Sequence, residues 1–289
     1  MRRTRHPVSV GLMLAATRAE AVRRPGVTID PEKTCALIWQ LWQAGEVVAE
    51  LPPALRPATR ADGYRAQAYL EPRSSKPRFG WKIAATSAAG QAHIGVDQPL
   101  AGRLLVERIR APGASVSIAG NRMRVCEPEF AFRMSRDLAP RVAPYTVAEV
   151  MAAVGDLHLA LELPDSRFSD FARVGGPSLI ADNACAHDLV VGPAVTADWR
   201  AIDLAQHGVR ATVTGRIERA GVGANVLGDP RIALTWLANE LSALGLTLGS
   251  GETATTGTCM VPLEIQPGDR VTADFGVLGT IGVEIAEPA

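Results

Sequence analysis

The sequence predicts an α+β protein, a helical N-terminal third followed by a β-rich body that shares one core. Three observations lead there. Apolar residues recur at helical spacing between residues 30 and 45, and from Gly80 onward the texture changes to short β-like runs separated by glycine, proline and aspartate. The composition, 47% hydrophobic and 21% charged over 289 residues, can bury a substantial core and argues against disorder.

Residues 1–28 come first as an arm. Arg2, Arg3, Arg5 and His6 precede the apolar run Val8 to Ala16, in the order of a targeting signal, but Thr17 to Ala21 makes a poor cleavage site. A disordered or loosely docked arm, or a start placed too early, is the preferred reading. Residues 29–78 form the helical region. Asp30 followed by Pro31 reads as an N-cap with proline in the first turn, and Leu37, Ile38, Leu41 and Trp42 carry the helix to Gly45. The prolines between Leu51 and Pro57 break it. Thr59 with Asp62 resembles a capping box opening a second helix that runs to about Leu70. Residues 79–289 form the body, where two further helices are expected: Thr146 to Val154, with Thr146 and Glu149 as capping box, and Pro230 to Leu244, stopped by Gly245.

Charge and cysteine usage narrow the function. Thirty basic residues balance thirty acidic ones, so no long-range field draws the chain to nucleic acid. No run approaches the roughly 18 apolar residues of a membrane helix, so no membrane partner is expected. Cys35, Cys126, Cys185 and Cys259 lack both metal-finger and disulfide spacing and read as reduced cytoplasmic thiols.

The chemistry-bearing candidates lie on two predicted strands. In Val125 to Phe132, period 2 places Glu127, Glu129 and Ala131 on one face. In Leu157 to Leu163, four leucines take one face and His158, Ala160 and Glu162 the other. Pattern alone leaves two readings for the glutamates. They are a solvated strand edge, the usual fate of such residues, or they supply the hard oxygen ligands that Mg²⁺ prefers. If they converge, their mutual repulsion is a physical reason to expect a cation between them. Lys82, in the small-residue run Gly80 to Ser87, is either a strand-end lysine reaching solvent or a buried functional amine. His93, His158, His187 and His207 read as structural, with His158 the first to check for contact with Glu162. The segments Asp182 to Ala184 and Thr256 to Thr258 read first as turns.

Six motifs in order, Gly80 to Ser87, Gly95-Val96-Asp97-Gln98-Pro99, Glu127 to Phe132, Ala160-Leu161-Glu162 with Asp165-Ser166-Arg167, Ile180 to Asn183, and Pro267-Gly268-Asp269, resemble the hydratase/decarboxylase branch of the fumarylacetoacetase superfamily. The resemblance covers residues from about 30 to 286 and implies a mixed β-roll, the fumarylacetoacetase-like C-terminal fold, with flanking helices. It also implies a homo-oligomer, able to associate with a pathway partner enzyme, and an Mg²⁺ or Mn²⁺ site formed by Glu127, Glu129 and Glu162. Lys82 matches the family's active-site lysine. Asp97 and Asn183 join it as catalytic candidates, and Ser166 and Thr256 as substrate-binding candidates. The implied substrate is a small 2-oxo acid or its enol, whose carboxylate and neighbouring oxygen suit a hard cation. The implied reaction is hydration of 2-hydroxypenta-2,4-dienoate to 4-hydroxy-2-oxopentanoate in aromatic catabolism, or decarboxylation of 2-oxohex-3-enedioate. Lys82 is expected to stabilise an enolate or move a proton if burial lowers its pKa.

Three residues depart from the family pattern. Leu100 stands where many hydratases carry an acid, which weakens hydration relative to decarboxylation. Pro164 and His187 replace more usual aliphatic and small residues. A non-catalytic partner subunit is a further alternative. A C–C bond hydrolase is less favoured, because no histidine sits in a recognisable dyad to activate water.

Overall fold

The computed structural model describes residues 29–74 and 76–288, so the arm at 1–28 lies outside the described residues. Six α-helices are described: Pro31–Ala44 (α1), Arg60–Ala68 (α2), Ala88–Ile94 (α3), Val147–Ala153 (α4), Gly176–Ala181 (α5) and Pro230–Ala243 (α6). Seven strands come first: Arg78–Ala84 (β1), Leu100–Leu105 (β2), Ile109–Arg110 (β3), Ser115–Val116 (β4), Val125–Met134 (β5), Val154–Leu163 (β6) and Asp188–Ala194 (β7). The rest follow as Gly208–Val213 (β8), Ile217–Val222 (β9), Thr253–Thr258 (β10), Leu263–Glu264 (β11), Arg270–Asp274 (β12) and Thr280–Ile285 (β13).

The four expected helices form where their end signals stand. The Asp30 side chain accepts from the Lys33 N–H, and Gly45 closes α1 in the left-handed conformation. Thr59 with Asp62 and Thr146 with Glu149 make complete capping boxes. In α6, the Asp229 side chain caps the first turn and the helix ends just before Gly245. Two short helices were not anticipated. α3 begins at Ser87, whose side chain accepts from the Gly90 N–H, and α5 follows Gly175 with a proline in its first turn. Neither is long enough to show an apolar stripe.

One sheet of eight strands has the order β2-β1-β10-β5-β6-β7-β3, with β11 paired to β5. The second has the order β4-β13-β12-β8-β9. Both are mixed: β1/β10, β3/β7 and β13/β4 run parallel and the other pairs antiparallel. The leucine face of β6 enters the main core, where Leu157, Leu159, Leu161 and Leu163 are all buried. Each such side chain contributes about 2 kcal/mol of apolar burial. The opposite face of the large sheet is also covered, by a separate apolar cluster that includes Leu104, Ala131, Ala160 and Leu189. A charged side chain on that face is therefore enclosed.

The helical region is continuous with this body. Ile38, Leu51, Tyr64 and Ala66 belong to the main core, and Gln67 donates to the carbonyls of Ala101 (2.9 Å) and Ile180 (2.8 Å). No helix among the described residues is long and apolar enough to cross a membrane. All four cysteines are buried free thiols.

Candidate metal centre and its cavity

Antiparallel pairing of β5 with β6 sets Glu127 opposite Glu162 and Glu129 opposite Ala160. Strand alternation puts Glu127 and Glu129 on one face, and this register brings Glu162 to them. Each glutamate offers one carboxylate oxygen, and the three atoms lie within 4.8 Å of one another. That spacing is close to twice the roughly 2.1 Å of an oxygen–Mg²⁺ bond. Glu129 and Glu162 are buried, while Glu127 keeps partial access to a cavity. Glu129 Oε1 and Glu162 Oε2 are buried without a hydrogen-bond donor, and Glu162 Oε1 has only the Lys82 ammonium 3.0 Å away. Orphaned buried carboxylates of this kind fit a hard divalent cation, which would satisfy them and remove their repulsion.

Lys82 enters from β1. Its Nζ lies 3.0 Å from Glu162 Oε1 and donates to the Ala184 carbonyl at 3.0 Å. The lysine is buried rather than snorkelling. Burial pulls its pKa down, but the charges of Glu162, Glu127 and Glu129 outweigh that and hold it above the usual lysine range. The expectation that burial leaves this amine with a lowered pKa is thus corrected, because the nearby carboxylates favour the ammonium form. Gly102, opposite Lys82 on β2, makes the packing possible: a Cβ there would meet the Asn183 carbonyl oxygen at 2.4 Å and Lys82 Cγ at 3.1 Å.

Glu129 has one further partner, the Gly257 N–H, which donates to Oε2 at 2.8 Å. The β10/β5 register shifts between Thr255 and Thr258, and this bulge brings the amide to the carboxylate. Gly257 has φ +93°, and a Cβ there would meet Thr86 Oγ1 at 2.1 Å. Glycine inside a strand pattern was the available signal for such a bulge. The Thr256 hydroxyl instead donates to the Phe130 carbonyl at 3.0 Å and is fully buried. Thr255 pairs with Ala131, so it shares the glutamate face, and its hydroxyl has no partner.

Other candidates serve different structural ends. Ser166 Oγ donates to Asp182 Oδ2 at 2.7 Å, and both residues are buried with Arg167, which ion-pairs to Asp182 through Nε. Burial raises the Asp182 pKa, with Arg167 and Ser166 pulling against it. Asn183 is wholly buried and bonds to the backbone of Arg103 at both ends of its amide. Asp97 is exposed beyond α3 and does not line the cavity. His158 Nδ1 sits 2.9 Å from the Gly192 carbonyl oxygen, and His207 Nε2 2.7 Å from that of Phe275. His187 accepts from Trp42 Nε1 at 2.8 Å; burial and then Arg108, Arg167 and Arg110 push its pKa down to about 3.

The cavity beside the triad has a volume of about 700 Å³. Lys82 and Glu127 share its wall with Ile94, Leu100, Met123, Phe171 and Met260. Among the described residues Lys82 is the only lysine or arginine in the lining, and Glu264 at the wall pairs with Arg219 at 2.7 Å. A second cleft of about 800 Å³ lies beside the C-terminal end of α1. Its charges neutralise each other, as in the 2.8 Å Arg110–Asp188 pair, and it lacks the triad.

Burial and then the Glu162 charge push the Glu127 pKa up to about 7, against the pull of Lys82. Burial followed by Glu162 and Glu127 raises Glu129 well above the ordinary range, opposed by Lys82 and the Gly257 N–H. The metal-free fold therefore binds protons that the unfolded chain releases between about 4.5 and about 7, and its stability falls as pH rises through that window. Divalent-metal affinity runs the other way, rising about tenfold per pH unit for each proton displaced. Calorimetric titration of Mn²⁺ into metal-free protein on either side of neutrality checks this, and a pH-independent affinity is the contrary result.

The family model described as "Fumarylacetoacetate (FAA) hydrolase C-terminal" matches residues 83–286. The chain is 29% identical to a 2-keto-4-pentenoate hydratase of Paraburkholderia xenovorans (strain LB400) over 256 residues, 88% of this chain and 94% of the relative. It is 32% identical to a 2-hydroxyhexa-2,4-dienoate hydratase of Comamonas testosteroni over 221 residues, 75% of this chain and 82% of the relative. A solved 4-oxalocrotonate decarboxylase from Pseudomonas putida G7, complexed with magnesium and adipate, superposes with a TM-score of 0.80 at 26% identity, covering 89% of this chain and 99% of the other. By its sequence, its mixed sheets and its glutamate cluster, the chain belongs to the fumarylacetoacetate hydrolase C-terminal family.

Proposed function

We propose that the protein is a divalent-metal-dependent lyase that hydrates a 2-hydroxydienoate bearing a single carboxylate, in the manner of 2-hydroxypenta-2,4-dienoate to 4-hydroxy-2-oxopentanoate. The observation that carries the choice is the cavity wall. Among the described residues Lys82 is its only lysine or arginine, and much of the rest is apolar. A dicarboxylate such as 2-oxohex-3-enedioate brings a second charge that would have only the His93 imidazole of this wall to meet it, and burying a poorly paired charge is costly. A monoacid places only its carboxylate end at the charged residues and its hydrocarbon end against Leu100, Phe171 and Met260.

Glu127, Glu129 and Glu162 would hold Mg²⁺ or Mn²⁺; magnesium accompanies the similar decarboxylase in its solved structure. The bound cation supplies a Lewis-acid pull on the 2-oxygen and carboxylate, which favours the enolate charge. Lys82, held as an ammonium, donates a hydrogen bond to the 2-oxygen as enolate charge builds there, or delivers a proton to the carbon chain as that oxygen gives up its own. The apolar wall keeps the diene out of bulk water. In the balance of the reaction, C5 gains a hydrogen, C4 gains the hydroxyl, and C3 gains a hydrogen as the 2-hydroxyl becomes a ketone.

Decarboxylation is the second reading. It is favoured by Leu100 in place of an acid and by the close superposition with the decarboxylase. Purified protein with Mg²⁺ is expected to consume 2-hydroxypenta-2,4-dienoate at least about tenfold faster, by kcat/KM, than it releases CO₂ from 2-oxohex-3-enedioate, since each 1.4 kcal/mol of mismatch is tenfold. The opposite ratio establishes the decarboxylase, and inertness toward both removes both readings. A homo-oligomer in the cytoplasm, able to pair with a pathway partner, completes the reading; analytical sedimentation checks the assembly.

A further inference from the structure

Between Asp182 and Ala186 the chain makes a left-handed turn from three consecutive non-glycine residues. Asn183, Ala184 and Cys185 have φ of +57°, +50° and +61°, and all three are buried. L-residues stay in this region only where their surroundings enforce it, and such segments gather at functional sites. Two clamps do so here. Asp182 is gripped by Ser166 and Arg167, and the side-chain amide of Asn183 is fitted to a strand edge.

That edge belongs to β2, the outermost strand of the large sheet. Arg103 turns its backbone groups outward there: its N–H donates to Asn183 Oδ1 at 2.6 Å, and its carbonyl accepts from Asn183 Nδ2 at 2.8 Å. The amide thus stands in for the peptide unit of a neighbouring strand. Asparagine suits the position twice over, because it tolerates positive φ better than most residues and carries both donor and acceptor.

The product of the turn is one aimed carbonyl. Ala184 O accepts from Lys82 Nζ at 3.0 Å, and the second group against that nitrogen is Glu162, also at 3.0 Å. The two anchors differ in kind. Glu162 is a carboxylate that a divalent cation would claim, whereas the Ala184 carbonyl stays available to the lysine. We propose that Asn183 is a positioning residue: by pinning the left-handed turn to the edge of β2, it fixes the Ala184 carbonyl that holds Lys82 at the cavity wall. The proposal rests on the reading of Lys82 as the residue that acts on substrate.

Two variants test it. Asn183→Gly accepts the positive φ but removes the amide, and Ala184→Gly relaxes the turn while keeping the clamp. With Asn183→Gly, kcat is expected to fall about 10- to 50-fold, since small displacements of a reacting group cost up to about 100-fold. KM and Mn²⁺ affinity are expected to stay within about threefold. With Ala184→Gly, kcat is expected to fall about three- to tenfold with Tm unchanged or higher, a combination that a purely structural residue does not produce. The proposal is overturned if Asn183→Gly keeps its kcat, or if KM and metal affinity worsen as much as kcat does. Should Asn183→Gly fail to fold, an unchanged kcat in Ala184→Gly overturns it. Lys82→Met separates the two levels. If that variant keeps the rate, the reading of Lys82 falls; if it is slow while Asn183→Gly is fast, the positioning role alone falls.

Discussion

Glu129→Gln is expected to abolish lyase activity, by at least about a thousandfold at micromolar metal, while making the metal-free protein more stable. The two effects share one cause. Glu129 is buried with two other carboxylates and a single nearby lysine, and its Oε1 has no hydrogen-bond donor. Glutamine keeps the shape and can still accept from the Gly257 N–H, but it removes a carboxyl that the metal-free fold can bury only by taking up a proton and that only a cation repays as a charge. Metal affinity is expected to drop by about 100-fold or more, beyond the 10- to 100-fold typical of residues one shell further out. Thermal unfolding in a chelator is expected to rise by several degrees. Calorimetry with Mn²⁺ and an activity assay over a range of metal concentrations give both numbers. Unchanged metal binding removes the triad as the site; full lyase activity without metal binding removes the metal-dependent mechanism.

Lys82→Met is expected to lower kcat by about 100- to 10,000-fold, the range that a positioned proton donor contributes. Its sign on metal binding is opposite to that of Glu129→Gln. The ammonium lies 3.0 Å from Glu162 and competes electrostatically with a divalent cation for that carboxylate. Removing it leaves the three carboxylates less compensated, so affinity for Mn²⁺ is expected to stay level or tighten. Methionine fills the buried channel beside Gly102 with a flexible chain of similar length. A steady-state assay at saturating metal, with a parallel binding isotherm, checks the pair. Loss of metal affinity together with kcat would make Lys82 a structural partner of the site instead.

The residues that were legible in the sequence are those whose signals are local. Asp30 and Gly45 delimit α1, Thr146 with Glu149 opens α4, and the four leucines of β6 take one buried face. Glu127 and Glu129 share a face because side chains alternate along any strand, and Glu162 lies on the non-leucine face for the same reason. The shorter helices α3 and α5 escaped because six or seven residues hold too few apolar positions to define a period. Thr256 to Thr258, read first as a turn, instead ends β10, because the glycine that suggested a turn marks a bulge that turns Thr256 to the Phe130 carbonyl while Thr255 and the Gly257 N–H face the glutamates. Ser166 and Asn183 carried the polarity of substrate contacts, yet buried polar groups must be paired, and both are paired within the protein.

By itself, then, the sequence determined an α+β chain with its main helix ends, a neutral charge balance, and an order of motifs resembling one branch of one superfamily. Only the tertiary structure decided that Glu162 meets Glu127, that Lys82 is an ammonium pressed against them, and that the cavity beyond carries no second lysine or arginine among the described residues. The division has a physical reason. Caps and alternation act over a few residues, whereas strand register, mutual burial of charge and the lining of a cavity join positions far apart in the chain, whose energies depend on distances that no local pattern encodes.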